Sequence, residues 1–289
     1  MRRGVTLLEL VIVVVIVSIL SVASLKAIGA ILVRSYKAKE LTRLSLESQI
    51  ALDQISALLQ ERVPATTIGY DGKGGFAPIE EIVDEEGFKI LEWIGFEPLV
   101  SEDGNYSGFI DLLASNKTTR TLATEVHRDA KAIIFAGSFD RAAVAGDFQN
   151  AFGWHSGRSD EIFEVQKVSG GLKIVDAVQP KWIYEKYYLL SSAYAIARGA
   201  DIDRDAACLD GLDVDEDTLL LFYDYYPWKG ESFCADPKGT QSGKATILMR
   251  DVVGFWALEQ DYTLRLVLEV QKEIRGFSPI RFTKMKVVF

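Results

Sequence analysis

The sequence is poor in the residues that build metal sites and disulfide frameworks. It has two histidines and two cysteines in 289 residues, and no CxxC pair. A zinc site made of histidine and cysteine therefore has few ligands to draw on, and a disulfide-rich scaffold is excluded. An excess of positive charge is also missing, since the formal net charge is -9. Binding of nucleic acid by the bulk of the chain is therefore not expected.

Proline is absent before Pro64, so nothing forbids a long helix at the amino terminus. From Val5 to Leu25 the chain is apolar, with Glu9 as its only charged residue. About 20 apolar residues suffice to span a bilayer as a helix. Arg2 and Arg3 precede this run, which predicts a cytoplasmic amino terminus and export of the remainder.

The helical pattern continues beyond the apolar run. Apolar residues recur at steps of three or four from Ile28 to Leu59, with charged residues between them. This predicts one helix from about Val5 to Arg62, apolar at first and then amphipathic. A cleaved secretory signal peptide is the alternative, because residues 21–23 offer a small-x-small cleavage site. The charge of Glu9 within the apolar core and the continuing helix both argue against it.

The opening Gly4-Val5-Thr6-Leu7-Leu8-Glu9-Leu10 resembles the amino-terminal signal of type IV pilins and type II secretion pseudopilins. In that family a prepilin peptidase cuts after the glycine and the new amino terminus is N-methylated. The resemblance implies cleavage between Gly4 and Val5, methylation of Val5, and pairing of Glu9 with the terminal amine of a neighbouring subunit. It implies no catalytic role.

The sequence departs from the family pattern at two positions. Valine stands at Val5, where phenylalanine is usual, and Lys26 stands where many major pilins have proline. The second departure favours a minor subunit with a less broken helix. The run of strands that closes the chain resembles large minor subunits of the J or W type. The implied partners are prepilin peptidase, other pilins or pseudopilins, and the inner-membrane assembly platform. The implied location is the bacterial inner membrane, with a periplasmic head that joins a filament.

Four segments are predicted: a leader at residues 1–4, a transmembrane half-helix at 5–25, an amphipathic half-helix at 26–63 and a head at 64–289. Residues 76–130 indicate an irregular region with short elements. Strand-like runs then follow one another without helical patterns between them. The predicted strands are 132–136, 161–168, 172–175, 183–197, 218–226, 245–249, 252–258, 263–270 and 280–288. This order predicts an α+β fold, with a long helix packed on an antiparallel sheet.

An acidic segment is the sharpest local feature of the head. Aspartates alternate in it, as suits oxygen ligation of calcium, at Asp201, Asp203, Asp205, Asp213, Asp215 and Asp217. An EF-hand is excluded, because a loop starting at Asp201 has Ala206 at its sixth position and Leu212 at its twelfth. A looser calcium loop and a solvated acidic loop both remain open.

Cys208 and Cys234 flank part of this segment. If the head is exported, a disulfide between them is predicted, and two free thiols in a core are the alternative. Aromatic residues cluster around Tyr187 and Phe222. They could pack in the core or form a platform that binds a ligand, and both interpretations are open.

The leading functional hypothesis is a minor pilin or pseudopilin that primes or caps a type II secretion pseudopilus or a type IV pilus. A membrane-anchored periplasmic hydrolase is an alternative, because carboxylates are abundant. However, no HExxH or nucleophile-elbow motif is present. A membrane-anchored binding module that uses the aromatic clusters, for glycans as an example, is the third hypothesis.

Overall fold

The computed structural model describes residues 7–82, 88–97, 106–125, 131–138, 148–155, 159–234, 243–260, 263–274 and 277–289. The chain forms two compact units. The first comprises Met1–Glu47 with Glu273–Ile280, and the second comprises Ser48–Lys272 with Arg281–Phe289. In the first unit, Nζ of Lys37 donates to Oγ of Ser278 at 2.9 Å and lies 5.6 Å from the centre of the Phe277 ring.

The amino-terminal element is helix α1, Leu7–Gln60, with 54 residues. At 1.5 Å per residue it is about 80 Å long. It passes through Gly29 without a break, and the predicted continuous helix is confirmed. After its end, the 3-10 turn Pro64–Thr66 starts with proline, whose missing N–H costs nothing at a first helical position.

The two halves of α1 differ in burial. From Leu7 to Leu32 every residue is exposed. Burial then recurs at the helical step of three or four residues, at Leu44, Ser48, Ala51, Leu52, Ile55, Ser56 and Leu59. In the second unit, Nζ of Lys286 also pairs with Oδ1 of Asp53, which fixes the last strand beside this part of α1.

Fifteen strands follow in the described residues, with one short helix, α2, at Phe148–Phe152. The first seven strands are β1 Ile68–Tyr70, β2 Phe76–Pro78, β3 Ile90–Phe96, β4 Gly108–Phe109, β5 Asp111–Asn116, β6 Thr121–Ala123 and β7 Ala132–Phe135. The others are β8 Ile162–Val168, β9 Gly171–Ile174, β10 Lys186–Arg198, β11 Leu219–Tyr225, β12 Lys244–Met249, β13 Val252–Gln260, β14 Thr263–Ile274 and β15 Phe277–Val288.

Twelve of these strands form one sheet, in the order β2-β1-β3-β10-β7-β8-β9-β6-β5, with β11 and β4 also pairing to β10 and β12 to β11. The second sheet has the order β13-β14-β15. The registered strand pairs are antiparallel, for example Leu190 with Phe96 and Leu189 with Ile133. The α+β prediction, a long helix followed by an antiparallel β-rich head, is therefore confirmed.

Strand β10 is the centre of the large sheet, because β3, β4, β7 and β11 all pair with it. Successive side chains of a strand point to opposite faces. Tyr188 and Leu190 enter one core cluster, whereas Tyr187 and Leu189 enter another. Both faces of β10 are thus buried, which explains why its sequence is a nearly continuous apolar run.

Candidate functional site

The exposed part of α1 is one candidate site. Among the described residues, α1 is the helix long and apolar enough to cross a membrane. Its serines are satisfied within the helix: the hydroxyl of Ser18 donates to the carbonyl of Val14 and that of Ser21 donates to the carbonyl of Val17, each at 2.7 Å. Such bonds suit an apolar medium, where an unsatisfied polar group costs several kcal/mol. Glu9 lies in the first turn and is exposed.

The second candidate site is a polar cluster inside the head. Glu92 lies in β3, and every residue of that strand is buried. Its Oε1 is 2.8 Å from Nε2 of His155, and its Oε2 accepts a hydrogen bond of 2.8 Å from the hydroxyl of Tyr225. A buried carboxylate is tolerated when charge and hydrogen bonds compensate it, and these two partners do so.

The local backbone places His155 at this cluster. After α2, Gly153 and His155 adopt positive φ angles of 82° and 48°. A Cβ at Gly153 would lie 2.8 Å from the carbonyl oxygen of Pro227, so glycine is required there. The indole of Trp154 donates to the carbonyl of Thr66 at 3.1 Å, which fixes the turn. A left-handed residue other than glycine costs about 1–3 kcal/mol, so the surrounding contacts must hold His155 in place.

Electrostatics favour the charged imidazole. Burial opposes a positive charge at His155, but the Glu92 carboxylate more than offsets this and, with Asp71, raises the pKa of His155. Tyr70 stacks on the imidazole with ring centres 4.1 Å apart. Burial, followed by Glu92, raises the pKa of Tyr225 well above its ordinary value. The cluster therefore favours the protonated form of His155 over the neutral form.

A cleft opens above His155. It has a volume of about 390 Å³ and is lined by Tyr70, Ile90, His155, Asp203, Phe233 and Cys234. A neighbouring cavity of about 600 Å³ shares Asp201 and Asp203 with it and adds Lys73 and Lys89. The lining thus carries aromatic rings and charges of both signs, as ligand clefts often do.

Comparison with known proteins identifies a motif at the amino terminus. The family model described as the prokaryotic N-terminal methylation motif matches residues 1–25. The chain carries the prepilin-type N-terminal motif of the type IV pilin and pseudopilin family. No curated protein and no solved structure matches the chain. The family that bears this motif is structural rather than enzymatic.

The prepilin-type motif covers the residues predicted to be processed. Gly4 and Val5 lie outside the described residues, so their predicted cleavage and methylation stay predictions. Glu9 lies within both the matched segment and α1. The exposed apolar helix and the motif together fit anchoring in the inner membrane.

The predicted calcium ligands are distributed over several local contacts. Asp201 pairs with Arg198 at 3.0 Å, and Asp213 and Asp215 face Arg250 at 3.2 and 3.8 Å. Oδ1 of Asp203 accepts from the backbone of Asp205 at 3.0 Å. Burial, followed by repulsion from Asp215, raises the pKa of Asp217. Within the part of the chain that the structure describes, no group of three His, Cys, Asp or Glu side chains is arranged to hold a metal ion.

Cys208 and Cys234 are joined by a disulfide, with Cα atoms 5.4 Å apart. Cys234 lines the cleft, so the bridge helps to shape its wall. Tyr187 and Phe222, around which the aromatic residues cluster in the sequence, are buried in the core, and so are their neighbours Tyr188 and Tyr225.

Sequence reasoning missed the cluster of Glu92, His155 and Tyr225. The three residues are separated by more than 60 positions, as their numbers show, and no local spacing connects them. The one available signal was Glu92 itself, an acidic residue inside the apolar run Ile90–Phe96. Charged residues inside a buried strand usually mark a paired or functional group.

Proposed function

We propose that this protein is a minor pilin or pseudopilin that primes or caps a filament assembled at the bacterial inner membrane, either a type II secretion pseudopilus or a type IV pilus. The proposal gives residues 1–4 as a leader, 5–25 as the membrane-spanning half of the helix, 26–63 as its amphipathic half and 64–289 as a periplasmic head. Prepilin peptidase, other pilins or pseudopilins and the assembly platform are the proposed partners.

One observation carries the proposal. Helix α1 runs without a break from the matched motif into the buried positions Ala51, Ile55 and Leu59 of the second unit. A signal peptide that is cleaved near Ala23 has no physical need to continue as a helix whose far end is part of a core. A helix that anchors a head and also packs into it does need this continuity.

Exposed apolar residues beyond the proposed membrane span support filament assembly. Ile28, Leu32, Tyr36 and Leu41 are between 46% and 64% exposed. Large apolar patches on a helix surface mark contacts with other proteins or with lipid. In the proposed filament, helices of neighbouring subunits cover these side chains.

Glu9 has a defined role in this proposal. A carboxylate in the apolar part of a bilayer is costly, by about 2.5–3.5 kcal/mol on insertion scales. In the assembled state, pairing with the methylated amine of Val5 in a neighbouring subunit would offset that cost. The pair would thereby favour assembly and set the axial register of the subunits.

The disulfide supports export of the head, because disulfides persist in oxidising compartments such as the periplasm. Positively charged residues next to a membrane span favour the cytoplasmic side, and Arg2 and Arg3 precede the span. This supports a cytoplasmic amino terminus and a periplasmic head.

The size of the head after Pro64 supports a position at the filament tip, because a bulky head there does not crowd the helical array of subunits. Immunogold labelling along the whole filament would contradict the tip position.

Mass spectrometry of the mature amino terminus from native membranes is the first test. We expect a chain that begins at Val5 and carries an N-methyl group. An intact Met1, or a chain that begins near Leu25, would refute prepilin processing.

A variant pair then tests assembly. Glu9→Ala should remain in the membrane fraction but should be lost from sheared filaments and from crosslinks to other pilins. Ser18→Ala, on the same exposed segment of α1, should assemble normally. Assembly of Glu9→Ala at the level of Ser18→Ala would argue against the role given to Glu9.

A further inference from the structure

A third cavity, of about 300 Å³, lies where the chain passes from the end of α1 into the head. Its walls come from Pro64, Ala65, Pro78, Ile79 and Tyr188, which are apolar or present an aromatic ring. Three polar residues complete the lining: Thr67, Glu80 and Glu259. All of these residues belong to the second unit.

The two carboxylates of this cavity lack direct partners. In the described parts of the chain, the side chains of Glu80 and Glu259 make no hydrogen bond and no ion pair. Glu80 lies on the 3-10 turn Ile79–Glu81, and Glu259 lies in β13 and is partly buried. Burial raises the pKa of Glu259, Arg62 opposes this, and repulsion from Glu80 adds to it. Two like charges therefore face the same space without a cation bound directly to either.

Arg62 is not bound directly to either carboxylate. It is 6% exposed, and its Nη1 donates to the carbonyl of Leu59 at 2.9 Å. It acts on Glu259 through space. A cation bound between Glu80 and Glu259 would relieve the repulsion between the two carboxylates.

Thr67 provides an independent observation. Its side chain is 1% exposed, and its Oγ1 has no hydrogen-bond partner among the described residues. A buried hydroxyl without a partner costs about 1–3 kcal/mol, so native proteins seldom leave one unused. A ligand with N–H donors would satisfy this oxygen together with the two carboxylates.

The chemistry of the walls narrows the kind of ligand. Alkyl stems of cationic side chains lie along apolar surfaces such as those of Pro64 and Pro78 while the charged end reaches polar partners. The Tyr188 ring offers an aromatic surface that also favours a nearby cation. A divalent metal needs about six oxygen ligands, more than this lining supplies. An anion would be repelled by both glutamates.

We propose that the cavity between Pro64, Tyr188, Glu80 and Glu259 binds a primary alkylammonium group. A lysine side chain of a partner protein and a free diamine carry the same chemistry. The carboxylates of Glu80 and Glu259 take the ammonium charge, Thr67 Oγ1 accepts one N–H, and the prolines contact the alkyl chain. This site is independent of the role in filaments proposed above.

The test uses the full chain in detergent micelles, with ¹³C-labelled isoleucine methyl groups. Ile79 lines the cavity and is 3% exposed, so its methyl signal reports occupancy. The probes are Nα-acetyl-lysine amide, which mimics a lysine side chain, and 1,5-diaminopentane. The neutral control is 1-pentanol. We expect a saturable shift of the Ile79 signal with an ammonium probe, weakened by added salt, and no such shift with the alcohol.

Matched variants assign the binding to the carboxylates. Glu80→Gln and Glu259→Gln should each weaken the ammonium probe by at least about tenfold, or about 1.4 kcal/mol. Glu81→Gln removes the same charge from the same 3-10 turn but does not line the cavity, and it should bind normally. Tighter binding of Nα-acetyl-lysine amide would indicate a lysine side chain of a partner protein as the ligand. Tighter binding of 1,5-diaminopentane would indicate a free diamine. An unsaturable shift, an equal response to the alcohol, or equal binding by all three variants would overturn the proposal.

Discussion

Nε2 of His155 lies 2.8 Å from Oε1 of Glu92, a residue with 0% exposure. The imidazole side chain itself is 17% exposed and faces the cleft. The pair therefore couples a fully buried carboxylate of the sheet to a group that protons reach from solvent. The stability of the head should depend on the proton that His155 carries.

The first prediction is a pH dependence of unfolding. The folded-state pKa of His155 is raised above its ordinary value of 6.5. Its stabilising contribution should therefore be complete below pH about 6.5 and should be lost as the pH rises through the folded-state pKa. Urea unfolding of the full chain in micelles, followed by the fluorescence of the buried Trp93 and Trp154, measures this. His155→Gln should remove that part of the pH dependence, and an identical profile for both proteins would contradict the assignment.

The second prediction concerns the other partner of Glu92. Tyr225→Phe removes a hydroxyl that donates to a buried carboxylate at 2.8 Å. A hydrogen bond to a charged group contributes about 1.5–3 kcal/mol, so the free energy of unfolding should fall by that amount. Tyr223→Phe is the matched control, because Tyr223 lies on the same strand and its hydroxyl has no hydrogen bond within the described residues. Equal effects of the two changes would show that the bond to Glu92 adds nothing to stability.

The third prediction concerns the disulfide. Cys208 and Cys234 are 26 positions apart, and a crosslink of that span lowers the entropy of the unfolded chain. Replacing both residues with serine should reduce the free energy of unfolding by about 3.5 kcal/mol on the chain-entropy account. A reductant should destabilise the natural protein to a similar extent and leave the double variant unchanged. A double variant that still responds to reductant would place the effect elsewhere.

The fourth prediction distinguishes the two sides of α1. Ile55 is 0% exposed and Ile50 is 48% exposed, although both lie on the same helix. Ile55→Ala should destabilise the head by about 2–5 kcal/mol through lost burial and a cavity. Ile50→Ala should change stability by less than about 0.5 kcal/mol. Chemical unfolding of the full chain in micelles checks both, and similar losses would contradict the packing of α1 described above.

Much of the fold could be predicted because its signals are local. The α1 pattern depends on the absence of proline and on a step of three or four residues, and the observed helix ends within two residues of the predicted end. The strands from β7 onward also lie close to their predicted ranges, since alternation and β-branched residues mark them directly. The apolar first part of α1 and the match to the family model depend on the same short segment, residues 1–25.

The region before β7 was harder to predict. Strand β3 was not recognised, although it pairs with β10 and is buried throughout. Its run of apolar residues includes Glu92, and local pattern cannot tell whether such a charge ends a strand or lies buried within it. The answer depends on His155 and Tyr225, which come from distant parts of the chain.

The long helix, the order of the later strands and the processing motif could all be read from the sequence, because each depends on neighbours a few residues apart. Which half of the apolar stripe on α1 is buried and which remains exposed became known only from the folded chain. Folding also brought Glu92 to His155 and made Glu80 and Glu259 face one cavity. These relationships depend on strand register and chain crossing, through which residues far apart in sequence come to share a desolvated space.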